Sequence, residues 1–371
     1  MHPALYCYAH GISKLKLPLE LPLDSEEPDT NPELPAESFC SSCRKVMTDP
    51  HKFCPECGTK ITHGKMEIVP GVFAGQKDVW GRPHETSIYQ WLPSYFSVSP
   101  EGRVTIEDYI NNLVPRSQYE GLYSDLARLF EHALPLVEAA YAYGVAIRKR
   151  MRDEGEEMDY DDGIVLGQFP IVPQSLRGKR LQVIPKIVDY ELGPGEKYEG
   201  VWHVEGMSHE NIVCTAELIL DRDPELEGAN LLYKRAFLRE EAEYIFSHVG
   251  QERHIQLDKI VEQGLLPLGR AATPTGRLLV FPNSHVHKVS PLVNTQPVSA
   301  DGKKAIRRIV VFFVVDPSRR IVSTREVPPQ QEDAGGMMSR EQALDLRLKL
   351  MHERKFQKQD WNVREIELCE H

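Results

Sequence analysis

No run of about 18 or more uncharged apolar residues occurs anywhere in the 371 residues, which removes a membrane-spanning helix from consideration. The opening residues, MHPALYCYAHGISKLKLPLELPL, lack the basic start, apolar block and small-residue cleavage site of a secretory signal. The expectation is an intracellular protein, cytoplasmic or nuclear, with no membrane partner. A surplus of positive charge is also missing. With 44 Lys and Arg against 55 Asp and Glu the net charge is -11, so broad attraction to phosphate backbones is not expected and nucleic acid is disfavoured as a partner. The cysteines suggest a metal clip in a reducing compartment more than a disulfide framework: Cys7, Cys214 and Cys369 stand alone in the sequence, and the other four of seven fall in one short segment. There is no internal repeat.

What remains is a composition that folds. Hydrophobic residues at 41 % and charged residues at 27 % suit a globular core. The length exceeds that of an ordinary single domain and implies one large core with attachments, or two domains. Residues 1–38 read as an N-terminal segment and linker, because LPLELPLDSEEPDTNPELPAES is too rich in proline and acid to propagate a helix or be buried. Residues 39–64 hold the clustered cysteines. Residues 65–180 read as mainly helical or irregular, packing on the core. Within them Leu122, Leu126, Leu129, Phe130, Leu134 and Val137 recur at three- and four-residue steps, predicting a helix from about Tyr119 to Arg152 with a break near Pro135.

From 181 to 330 the pattern changes to short apolar or alternating runs such as LQVIPKIVDYEL, VWHVEG, NIVCTAELIL, RLLVFPN, HKVSPLV and RRIVVFFVVDP, the pattern of strands in a sandwich or small barrel. A helical insert is expected over 238–263, carrying the solvated His248 and His254. Residues 331–371 read as a helical tail, with a Ser339 start signal and Leu344, Leu348 and Met351 at helical spacing as the packing stripe.

Two Cys-x-x-Cys knuckles, Cys40/Cys43 and Cys54/Cys57, lie in FCSSCRKVMTDPHKFCPECGTKI. Four thiolates on two tight turns suit a closed tetrahedral zinc site that leaves no position for substrate, with a redox dithiol as the alternative. The segment resembles the short zinc ribbons, with Arg44 in place of the first glycine of their pattern. So small a ribbon folds only with its metal, and its expected role is to staple the fold or dock a protein partner.

A second constellation is spread along the strands. On a strand His203 and Glu205 project to one face, and a further imidazole is available from His285 or His287 about eighty residues on. Two histidines and a carboxylate form the facial triad that holds iron(II) with open positions. His209 and Glu210, after the turn at Gly206, read as surface polar residues, and Asn283 as a residue shaping the Pro282 turn. Arg307 and Arg308 open the strand RRIVVFFVVDP. Such a guanidinium at the edge of a buried sheet could hold the far carboxylate of a dicarboxylic acid, or both could be solvent-facing guards of an aggregation-prone strand. Spacing does not choose.

From about Trp91 to Gln330 the chain resembles a family of uncharacterised proteins with an iron(II)- and 2-oxoglutarate-dependent oxygenase-like domain. WLPSYFSVSPEGRVTIEDYINNL, LQVIPKI, GVWHVEGMSHENIVCTAELIL, GRLLVFPNSHVHKVSPL and RRIVVFFVVDPSRRIVSTREVPPQ carry the resemblance. It implies an α+β chain with a double-stranded β-helix (jelly-roll) core, flanking helices and the small N-terminal zinc ribbon. It implies that His203, Glu205 and His287 hold Fe(II), with His287 chosen over His285 by the valine two residues on, and that Arg307 pairs with 2-oxoglutarate. It also makes Lys186 and Gln182 candidate cosubstrate contacts. Glutamate in place of the commoner aspartate adds one methylene to the ligand arm. The expected activity is a dioxygenase that hydroxylates or demethylates a small molecule or a protein side chain; the cofactors are Fe(II), 2-oxoglutarate and Zn(II). The rival readings are an inactive β-helix scaffold that docks partners through the ribbon, and a cupin-like metal enzyme that needs no 2-oxoglutarate.

Overall fold

A computed structural model describes residues 1–9, 12–15, 38–39, 46–47, 89–153, 171–236, 265–298 and 303–357. In chain order the strands begin with β1 (Tyr8–Ala9), β2 (Ser38–Phe39), β3 (Val46–Met47), β4 (Tyr89–Gln90), β5 (Ser94–Val98) and β6 (Val104–Ile106), followed by helix α1 (Glu120–Asp153). Then come β7 (Arg180–Leu192), β8 (Lys197–Tyr198), β9 (Ile212–Arg222), β10 (Leu226–Gly228), β11 (Leu231–Ala236), β12 (Leu265–Ala271), β13 (Leu278–Pro282), β14 (Val286–Val289), β15 (Leu292–Asn294) and β16 (Ala305–Val315), and last helix α2 (Arg340–Gln357). The fold is α+β and mostly antiparallel sheet. Among the described residues the sheets do not close into a barrel. Zinc-ligand candidates Cys40, Cys43, Cys54 and Cys57, and His248 and His254 of the expected helical insert, lie outside the described residues.

The main sheet has the order β13-β9-β16-β7-β5-β6. Its middle strand β16 is buried on both faces, which is why IVVFFVV reads as a continuous apolar run rather than an alternation. Val310, Phe312 and Val314 face α1, where Phe96, Phe130 and Phe312 meet edge to face at 5.2–6.2 Å. Ile309, Val311, Phe313 and Val315 face the opposite way, onto Ala4, Cys7, Trp91 and α2. Because β5 and β6 belong to this sheet, the core begins well before residue 181. Strand pairing to β7 recruits them: Phe96 and Leu181 are register partners and both are fully buried. Likewise the first nine residues are part of the core and no loose arm, since Ala4, Cys7 and Ala9 have no exposure.

Helix α1 runs through Pro135 without ending there. Packing of Leu126, Phe130, Leu134 and Val137 against the sheet outweighs the one backbone hydrogen bond that proline removes. Helix α2 starts where Ser339 predicted. Ser339 Oγ accepts from the Gln342 amide at 3.1 Å while Gln342 Oε1 accepts from the Ser339 amide at 3.0 Å, a reciprocal capping box. The packing stripe, however, is Ala343, Leu346 and Leu350; Leu344, Leu348 and Met351 are exposed, at 40 %, 66 % and 45 %. Both stripes have helical spacing, and the choice between them was made by the surface beneath. Ser339→Ala should cost the helix about 1 kcal/mol and speed amide exchange in its first turn roughly fivefold, as read by hydrogen exchange at Gln342 and Ala343. Unchanged protection there would show that the cap does not hold the helix start.

Two three-stranded sheets, β12-β11-β14 and β10-β15-β8, accompany the main sheet. Leu192, Leu226, Leu231, Phe281, Val289, Leu292 and Ala305 form the apolar cluster between them. This junction brings β14 and the chain just after β8 over the inner face of the main sheet.

Candidate metal centre

The stretch Val201–Glu205 is held against β14 by a single bridge and not by a full strand. His203 and His287 exchange both backbone hydrogen bonds, at 3.0 and 2.9 Å, so the two side chains leave from directly opposed positions. Beyond the bridge the ladder is replaced by Asn283. Its Oδ1 accepts from the Glu205 amide at 2.9 Å, and its Nδ2 donates to the carbonyls of Glu205 and Ile212 at 2.8 and 3.1 Å. Asn283 therefore places the backbone of Glu205, a larger role than shaping the Pro282 turn. Gly206 then turns the chain away at φ +67°, and a Cβ there would lie 2.6 Å from the Ile212 side chain.

His203, Glu205 and His287 converge, each offering a donor atom within 4.8 Å of the others. Glu205 Oε1 lies 3.5 Å from His203 Nε2 and 3.7 Å from His287 Nε2. The far nitrogens fix the tautomers. His203 Nδ1 donates to the Val201 carbonyl at 2.7 Å and His287 Nδ1 to the His285 carbonyl at 3.2 Å, which turns both Nε2 lone pairs toward the carboxylate. Three acceptors facing one point repel one another unless a cation sits among them. Metal bonds of about 2.1 Å would bring neighbouring donors of an octahedral face to roughly 3 Å, a small movement from the separations seen. The residues thus fit a divalent metal. His287 is almost fully buried against Phe281, whose ring centroid is 4.8 Å away, while His203 is 30 % exposed, so the centre opens on its His203 side. Burial pushes the Glu205 carboxyl up, but the Lys186 ammonium, joined by His203 and His287 when their Nε2 atoms carry a proton, outweighs it and holds the group well below the usual carboxylate range.

Arg307 and Arg308 part company, because neighbours on a strand face opposite ways. Arg308 lies outside, paired to Asp189 through Nε and Nη2 at 2.7 and 2.6 Å. Arg307 points inward with no exposure at all, its Nη2 donating to Glu217 at 3.1 Å and its guanidinium 5.4 Å from the Tyr190 ring centre. Among the described residues its Nε and Nη1 have no hydrogen-bond acceptor. Lys186 shares this inner face, with Nζ 5.7 Å from the Phe313 ring centre. Gln182 is not with them: both ends of its amide are taken by the Ile321 backbone, at 2.6 and 2.9 Å, so it ties β7 to the segment after β16.

His285 is outside the triad, edge-on to Tyr143 at 5.7 Å, and burial pushes its imidazole down to about 4. His209 and Glu210 are not surface residues. They are 7 % and 0 % exposed: His209 Nε2 meets the Tyr89 carbonyl, and Glu210 accepts from the Trp91 and Met207 amides at 2.6 and 2.7 Å. Polar side chains that satisfy buried backbone groups cannot be told from solvated ones by composition.

Four residues at or near this face escaped the sequence reading: Glu217, Tyr190, Tyr233 and His2. Glu217 carried a usable signal, an acidic residue in phase with the inward Thr215 and Ile219 of β9. Tyr233 packs on Phe281 at 5.1 Å and lies 6.4 Å from His287. His2 had no signal. Burial, followed by the Lys186 charge, lowers its imidazole to about 3, while Glu205 acts in the opposite sense; its ring is edge-on to Trp91 at 6.5 Å.

The fold and this convergence define an α+β, largely antiparallel β protein with a candidate His-Glu-His metal site on its inner face. The chain belongs to the family described as protein of unknown function (DUF4246), whose model matches residues 1–165 and 165–336. No curated protein matches it. Among the described residues no helix is long and apolar enough to cross a membrane.

Proposed function

We propose that this chain is an Fe(II)- and 2-oxoglutarate-dependent oxygenase built on a double-stranded β-helix core. The observation that carries the reading is the convergence of three acceptor atoms, two of them imidazole nitrogens locked by backbone carbonyls, on a sheet face that also holds a fully buried arginine with two donors unmet among the described residues. An unmet buried donor costs free energy that a bound acceptor recovers. His203, Glu205 and His287 would hold the iron, and Arg307 would receive the far end of the cosubstrate. When bound, iron and 2-oxoglutarate supply oxygen activation, with the cosubstrate oxidised to succinate and carbon dioxide as the substrate is oxidised. The protein's own residues bind and orient. Lys186 carries positive charge toward Glu205, Phe281 and Phe313 keep water from the inner wall, and the exposed edge of His203 marks where substrate enters. The substrate class is a small molecule or a protein side chain. Cys40, Cys43, Cys54 and Cys57 would hold a structural zinc.

One observation favours a second reading, a cupin-like metal enzyme without an organic cosubstrate: Arg307 already has an internal carboxylate in Glu217. Anaerobic titration with Fe(II) and then 2-oxoglutarate separates the two. The wild-type chain should develop visible charge-transfer absorption only when both are present, and His203→Ala should show none. Absence of that band in the wild type, with no succinate formed in air, rejects the oxygenase reading.

A further inference from the structure

Arg307 poses two separate demands, and the fold meets only one of them. The positive charge is balanced inside the protein by Glu217, itself only 6 % exposed, at 3.1 Å from Nη2. The hydrogen-bonding demand is met only at Nη2, because among the described residues Nε and Nη1 have no acceptor although the side chain is completely buried. Any ligand oxygen can meet the open demand. A carboxylate does so at a cost, since it sets a second anion beside Glu217 in a site shielded from water.

The surroundings relieve that repulsion only in part, through the charges of Arg222 and Lys186 acting at a distance. The Tyr190 ring covers the guanidinium at 5.4 Å. Burial, foremost, and the charge of Glu217 both push the Tyr190 and Tyr233 phenols up, so both stay neutral and can donate a hydrogen bond without adding positive charge. Arg222, across the strand pair from Arg307, already gives Nε and Nη2 to the Leu226 carbonyl.

Resting on the 2-oxo acid reading above, we infer that Glu217 is the specificity-determining residue of the cosubstrate pocket: it competes with the tail carboxylate of a 2-oxo acid for Arg307. The wild-type pocket then discriminates only weakly between a 2-oxo acid with a charged tail and one with a neutral tail. Removing the Glu217 charge hands the whole guanidinium to the ligand and creates strong preference for the charged tail.

The test is calorimetric binding to full-length protein loaded anaerobically with Fe(II), using 2-oxoglutarate and 2-oxopentanoate, which has the same chain length and no tail carboxylate. For wild type the two dissociation constants should lie within about tenfold of each other; for Glu217→Gln, 2-oxoglutarate should be preferred by about 100-fold or more. A wild-type preference already of that size overturns the inference, as does a Glu217→Gln ratio equal to the wild-type one. Should Glu217→Gln fail to fold, the wild-type ratio alone decides. Binding of both acids with the wrong ratios sinks only the role of Glu217; binding of neither sinks the cosubstrate reading and this inference with it.

Discussion

Glu205→Ala should abolish the stabilisation by metal that the proposed centre predicts for this protein. Removing a group that merely supports a ligand weakens metal sites by 10–100-fold, and loss of a ligand itself should exceed that. At a metal concentration about 100 times the wild-type dissociation constant, the wild type gains about 2.7 kcal/mol from binding. A variant weakened by about 100-fold or more gains about 0.4 kcal/mol or less under the same conditions. Urea unfolding with and without metal, run anaerobically with Fe(II) or with redox-stable Mn(II), reads the difference directly. Equal stabilisation of both proteins would show that the metal binds elsewhere. Glu205 is the informative choice because it is the acceptor common to both histidines, at 3.5 and 3.7 Å.

A larger effect on the unliganded fold is expected at Arg307, on the same inner face. Arg307→Met should cost about 3–5 kcal/mol, since it leaves the Glu217 carboxylate buried without a counter-charge. Adding Glu217→Met should recover most of that loss, because two apolar side chains of similar volume need no desolvated charge to be balanced. The double-mutant cycle measures the coupling. If the double variant is no more stable than Arg307→Met alone, the loss came from packing against Tyr190 and not from the orphaned charge.

Strands and helices were legible because their signals are local. Apolar runs over 181–192, 211–220 and 307–317 correspond to β7, β9 and β16, and Ser339 announced the start of α2. Burial of β16 on both faces also follows from its own residues, seven apolar positions in succession. Legibility failed wherever two local solutions are equivalent. Helix α2 has two apolar stripes, and only contact with the N-terminal segment and the main sheet selects Ala343, Leu346 and Leu350. His209 and Glu210 look like surface residues, yet each is buried beside backbone groups it satisfies, 120 and 119 positions away.

The candidate metal centre divides in the same way. That His203 and Glu205 share a side was implied by their spacing, and His287 and Arg307 entered through a resemblance carried by short motifs. Their convergence depends on long-range pairing: the His203–His287 bridge spans 84 positions, and Asn283 clamps Glu205 from 78 positions away. The sequence by itself determined which residue types could hold a metal and which arginines stood ready at a strand edge. Tertiary structure alone decided that Arg307 turns inward while Arg308 turns out, and that Glu217 waits for it there. Strand alternation sets two sides without saying which is the inside, and that choice is made only when other parts of the chain cover one of them.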